Sequence, residues 1–217
     1  LKSTVKLHEN TSRFERKILK IIEKYYYGEI VRHYKDIISP YEIDLYIPKL
    51  NIAFEINGNY WHSELYKDTY YHQKKTLLCA KNGVQLIHIF EYEIVNSIDK
   101  IELFIKNTLN HNKKRIYARK CIVRQNETQT VKKFIDKYHL QGNTRASINI
   151  SLHDECDNIV GAMTLGKPRF NKDYDYEIIR LCFHPDLIVV GGLEKMIKYF
   201  LNKYKPRSII TYCDISK

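Results

Sequence analysis

Two carboxylates stand where carboxylates are costly. Asp44 is flanked by Ile43 and Leu45 in EIDLYIP (42–48), and Glu55 by Phe54 and Ile56 in NIAFEIN (51–57). Both runs read as strands, and an acid inside an apolar strand needs a partner, a metal ion or a place at the strand end. The tight connection at 48–50 lets the two acids converge on one cation. Mg²⁺ or Mn²⁺ suits such a pair, because these ions accept a few carboxylate oxygens and Mg²⁺ keeps several of its waters. A cation there would activate water and neutralise charge on a phosphodiester. The competing reading is a pair of outward-facing acids on edge strands.

Other residues fall near this pair in sequence. His62, in Gly58-Asn59-Tyr60-Trp61-His62, is placed to carry a proton to or from a reacting oxygen. His72 and Lys75 are three apart on an expected helix and share a face. Glu15 is a further candidate acid, but it also reads as the N3 residue of a capping box begun by Ser12. Trp61, Tyr60 and Tyr71 read as packing residues first, with base stacking as the alternative. There are nine histidines in the chain, so a single histidine carries little weight alone.

The elements that must hold these residues follow from periodicity. The pattern predicts a helix from Thr11 to about Tyr26, a strand within 28–38 and the two acid-bearing strands. A helix over 68–82 ends at Asn82-Gly83, the apolar run 84–94 reads as one buried strand, and a helix follows over 98–112. Lys113, Lys114, Arg115, Arg119, Lys120 and Arg124 then fall within twelve residues with no acid among them. A boundary is expected here, near Tyr117, dividing 1–116 from 117–217. The basic stretch reads equally as a solvated linker or as a contact for a phosphate backbone. Beyond it the pattern gives a helix over 128–140, strands over 146–154, 158–170 and 176–185, a helix over 193–204 and a strand over 208–214. The fold class is therefore mixed α/β (α+β).

Composition limits the function classes. The 217 residues carry a formal charge of +11, shared between the halves: 19 Lys and Arg against 14 Asp and Glu in 1–117, 17 against 11 in 118–217. With a pI near 9.3, a polyanionic partner is the first expectation, and nucleic acid is the commonest. No apolar run approaches the ~20 residues of a membrane span, and no signal peptide opens the chain, so no membrane association is expected. The five cysteines are isolated and never spaced as CxxC, which argues for a reducing cytoplasm and against a disulfide framework. The absent initiator Met and the stop soon after 208–214 read as the ends of a truncated piece.

The run EIDLYIPKLNIAFEINGNYWHSE, followed by YHQKKTLLCAKNGVQLIHIFEYE, resembles phage-type homing endonucleases of the very-short-patch-repair-like (EDxHD) branch of the PD-(D/E)XK superfamily. The match covers about residues 12–110. It implies a restriction-endonuclease-like mixed sheet flanked by helices, with a metal-dependent phosphodiesterase site at its edge. The family's motif Asp falls on Asp44, its second strand acid on Glu55 and its His on His62. Its Tyr-His-x-x-Lys element falls on His72 and Lys75, and its N-terminal helix acid on Glu15. One position departs from the pattern: the Lys expected two residues after the second acid is Asn57. GKPRFNKDYDYEIIRLC, VVGGLEKMIKYF and IITYCD resemble, less strongly, the GNAT/Mom-like domain that often follows such nucleases. That likeness implies DNA contact through Lys167, Arg169, Lys172 and Arg180, or acyl-CoA binding at Gly191-Gly192. The resemblance implies a homing-type endonuclease acting on double-stranded DNA with Mg²⁺ or Mn²⁺, as a nick or a double-strand break, in a host cytoplasm. The alternatives are an acyltransferase-like DNA-modification enzyme and a catalytically dead DNA-binding module, the second resting on Asn57.

Overall fold

The computed structural model describes residues 12–58, 70–110, 112–125, 128–214 and 216–217. The chain is mixed α/β and divides into two units, Leu1–Leu109 with Asp214–Lys217, and Asn110–Cys213. No helix among the described residues is long and apolar enough to cross a membrane.

The first unit opens with α1 (Arg13–Tyr25), whose N–H at Glu15 donates to Ser12 Oγ and whose Ile18, Ile21 and Ile22 are buried. Four strands follow: β1 (Val31–Tyr34), β2 (Ile43–Ile47), β3 (Ile52–Asn57) and β4 (Gln85–Phe90), paired in the order β1-β2-β3-β4. The first three form an antiparallel meander, and β4 runs parallel to β3. A parallel partner needs a crossover, and α2 (Tyr71–Lys81) supplies it. β2 and β3 are joined by a 3-10 turn at Pro48–Leu50 and by Asn51 at φ 52°, a left-handed position that Asn tolerates well. β3 and β4 are covered on both faces, which is why each reads as an almost unbroken apolar run.

The run 84–94 is not one strand. β4 stops at Phe90, and Glu91–Asn96 turns into α3 because Glu93 Oε2 accepts from the Phe90 N–H at 2.9 Å. α4 (Ile98–Leu109) buries Ile101, Ile105 and Leu109 and packs on α1, where Lys24 and Tyr25 both donate to Glu102. Ser216 and Lys217 lie along the edge of β4: Ser216 O accepts from the His88 N–H at 2.8 Å, and Lys217 Nζ reaches His88 O and Glu93.

In the second unit the order is β11 (Ile209–Thr211), β9 (Tyr176–Phe183), β8 (Ile159–Gly166), β7 (Ile148–His153) and β6 (Ile122–Gln125). The pairs within this five-stranded sheet are antiparallel apart from β11 with β9. α5 (Thr128–Tyr138) packs Val131, Phe134 and Ile135 against Ala162. α6 (Gly192–Tyr204) packs Met196 and Phe200 into the larger cluster with Ile150, Met163 and Leu165. Ala162 and Met163 point to opposite faces of β8, so the two helices cover opposite sides of the sheet.

The basic stretch is structured and belongs to this unit, so it is neither a linker nor divided at Tyr117. Lys114–Tyr117 is β5, paired in parallel with β10 (Leu187–Val190), and Arg119 and Lys120 sit in a 3-10 turn before β6. Chain division accordingly falls at Leu109–Asn110, ahead of β5.

Candidate functional site

Sheet register builds the site. Tyr46, Ala53 and Leu86 lie opposite one another on β2, β3 and β4 and form an apolar row in the cluster that includes Cys79 of α2. Two residues further along each strand the row becomes polar. His88 lies opposite Glu55, and one step beyond the β2–β3 register places Asp44 across from Glu55. On β1, His33 falls between Arg32 and Tyr34, whose partners are Leu45 and Ile43, and so lies across from Asp44. Four titratable residues thus run in one line across four strands.

Glu55 is buried and Asp44 half-buried. Asp44 Oδ2 accepts the Ile56 N–H at 2.7 Å, which ties the side chain of β2 to the backbone of β3. Burial raises the Asp44 carboxyl above its usual range, against the hydrogen bond from Ile56 and the attraction of Lys75. Burial, and then repulsion from Asp44, pushes Glu55 up to about 7. Glu55 Oε1 accepts from Lys75 Nζ, which arrives from α2 and is itself buried. Glu55 Oε2 is buried and has no hydrogen-bond partner among the described residues.

Behind Glu55, His88 is held neutral. Burial, then the nearby His72 and Lys75, lowers it to about 4. Thr76 Oγ1 donates to His72 O, so its oxygen accepts from His88 Nε2 at 2.8 Å, and His88 Nδ1 accepts from Asn57 at 3.1 Å. This network assigns the tautomer. Asn57, the departure from the nuclease pattern, serves here to orient His88. The His72 ring lies edge-on to that of His88, with centroids 5.4 Å apart.

On the other side of Asp44, α1 contributes Glu15. Its Oε1 lies 3.1 Å from Arg32 Nη2 and 3.5 Å from His33 Nε2. The donor atoms of Glu15, His33 and Asp44 all lie within 4.8 Å of one another. Among the described residues this is the group of three potential metal ligands that the structure assembles, and Glu55 is not a member of it. The structure therefore brings Glu15, Asp44, Glu55 and Lys75 together, with His72 alongside through His88. His62 lies outside the described residues. Sequence reasoning missed His33, Arg32 and His88, whose only signal is cross-strand register.

The expected nucleic-acid contacts divide. Arg115, Lys114 and Lys167 are exposed, and Lys113 is half-buried. Lys120 and Arg124 pair with Glu155 and Asp157 at 3.7 and 2.7 Å. The Arg119 guanidinium stacks over Tyr117, 5.0 Å from the ring centroid. Arg169 is committed within the protein: its guanidinium and its N–H all donate to Glu177, which is fully buried. Lys172 Nζ donates to Pro168 O and Arg169 O, and Arg180 Nε donates to Gly142 O. Gly191 has φ +74° and caps α6, and a Cβ on Gly192 would meet Phe183 at 2.6 Å. Turn geometry at Gly191 and close packing at Gly192 each call for glycine.

No family model, curated protein or solved structure matches this chain.

Proposed function

We propose that the protein is a metal-dependent endonuclease that hydrolyses phosphodiester bonds of double-stranded DNA, of the homing type. The observation that carries this reading is the pairing of half-buried Asp44 with buried Glu55 on adjacent strands, where one Glu55 oxygen has no hydrogen-bond partner among the described residues and the other accepts from Lys75. A buried, unpartnered carboxylate oxygen beside a second carboxylate suits a cation ligand. Mg²⁺ or Mn²⁺, when bound, neutralises charge on the scissile phosphate and makes water a better nucleophile. Asp44 and Glu55 are the residues proposed to hold it.

The chain's own groups do the rest. The Ile56 N–H fixes Asp44, and Lys75 fixes Glu55 and places a cationic group at the site. His72 and His62 are the proposed proton carriers for the attacking and leaving oxygens. Asn57 is what favoured the dead-module alternative. Lys75 answers it, because an amine reaches the second acid from α2 instead of from two residues along β3.

Supercoiled plasmid incubated with the protein tests the reading. Relaxed or linear DNA should form with Mg²⁺ or Mn²⁺ and vanish with EDTA. Asp44→Asn and Glu55→Gln should each slow cleavage by ~100-fold or more, equivalent to about 2.7 kcal/mol of lost transition-state stabilisation. Wild-type rates from both variants would remove this site from the chemistry.

A further inference from the structure

We infer that Glu15, His33 and Asp44 form a binding site for a divalent first-row transition ion, with the His33 imidazole as a ligand and Glu42 orienting it from behind. Three elements supply the donors, α1, β1 and β2, and all three donor atoms lie within 4.8 Å of one another. Metal–ligand bonds of about 2.0–2.2 Å are satisfied by a modest inward movement of such side chains. The inference rests on the nuclease reading for what the ion does, and not for whether it binds.

His33 is prepared in two ways. Its backbone has φ 52°, in the left-handed region that non-glycine residues rarely adopt. Such a conformation in the middle of a short strand is kept where the position of the side chain matters. In addition, Glu42 Oε1 accepts from His33 Nδ1 at 2.7 Å, which leaves Nε2 on the side of Glu15 at 3.5 Å. A carboxylate on one ring nitrogen and a metal on the other is the usual arrangement of metal-binding imidazoles. Glu55, 8% exposed and across from Asp44, stands next to this group without belonging to it, and its Oε2 has no hydrogen-bond partner among the described residues.

The donor set selects the ion. Imidazole favours the later first-row ions, whereas Mg²⁺ prefers oxygen ligands and water. Arg32 beside Glu15 offsets part of the local negative charge, which further weakens a site that relies on carboxylates alone. Without an ion, the same groups form an ion-pair cluster in which His33 bridges Glu15 and Glu42.

Titration of the metal-stripped full chain with Co²⁺, followed by its visible d–d absorption, decides between the two. The expected result is saturable, stoichiometric absorption that excess Mg²⁺ does not displace. His33→Asn, which suits the left-handed backbone but lacks the imidazole, should weaken binding by at least about tenfold, and Glu42→Gln by about 10- to 100-fold. His184→Gln, in the second unit, should bind as wild type, and circular dichroism should show His33→Asn folded. Absent absorption, unchanged affinity in His33→Asn, or displacement by equimolar Mg²⁺ would each overturn the site. Normal Co²⁺ binding with plasmid intact under every metal would sink the nuclease reading and leave this site standing. Cleavage without a Co²⁺ site would do the reverse.

Discussion

Glu55 and His88 face each other on β3 and β4, and the same dry surroundings move them in opposite directions. Burial favours each neutral form, which puts Glu55 up to about 7 and His88 down to about 4. For Glu55, the folded state keeps a proton that the unfolded state releases near 4.5, so its contribution falls as pH rises from about 4.5 to 7. For His88, the unfolded state takes up a proton near 6.5 that the folded state refuses until about 4, so its contribution is lost as pH falls through that window. In metal-free protein the two slopes oppose each other between about 4.5 and 6.5 and nearly cancel. Glu55→Gln should expose the histidine, giving stability that climbs from pH 4.5 to 6.5 by on the order of 3 kcal/mol. His88→Gln should show the opposite slope. Urea unfolding in EDTA, followed by exchange of β3 and β4 amides, measures both, and parallel pH profiles for the two variants would refute the pairing. Arg169 gives a second prediction at this scale. Among the described residues it supplies the hydrogen bonds to the buried Glu177 carboxylate, so Arg169→Ala should destabilise the second unit by roughly 2–4 kcal/mol. A change in DNA affinity with unaltered stability would contradict this.

Elements with local signals could be read from sequence, and those defined by distant partners could not. Ser12, the Ile18-Ile22 spacing and the apolar strands announce α1, β3 and β4, because caps and periodicity are properties of a few neighbouring residues. β5 has no such signal: four residues, mostly exposed and basic, become a strand through pairing with β10 some seventy residues later. The helix at Glu91 was hidden because an apolar run looks the same whether strand or helix follows, and Glu93 turning back on Phe90 decides it. The site divides in the same way. Asp44, Glu55 and Lys75 were legible as charged residues on apolar or shared faces. His33 was not, since its neighbours Val31 and Tyr34 made it look like ordinary strand. Gly191-Gly192 was visible, and at the second of them the Phe183 ring accounts for glycine. Gly192→Ala should therefore cost roughly 1–3 kcal/mol by overpacking, and Phe183→Leu should recover part of it in the double variant. Additive losses in thermal unfolding would show that the ring is not the obstacle.

At the scale of the whole molecule, the proposed function asks which of its many cations would meet a phosphate backbone. A charge of +11 spread through both halves would make the proposed DNA binding salt-dependent, but net charge does not say which side chains release counterions. Internal pairing sorts them. Arg169, Lys120 and Arg124 already face acids, and neutralising a phosphate would mean giving up those contacts. Arg115 and Lys167 are exposed, on β5 and just beyond β8, and are the stronger candidates for the DNA contact proposed here. Each phosphate contact contributes about 0.9 to the slope of log affinity against log salt. Arg115→Ala and Lys167→Ala should each flatten that slope by about this amount, equally for unrelated duplex sequences. Arg169→Ala, assayed well below its lowered unfolding midpoint, should leave the slope unchanged. Fluorescence anisotropy across a salt series reads all three. A flattened slope in Arg169→Ala, with wild-type slopes in the other two, would move the interface to the face that carries Glu177.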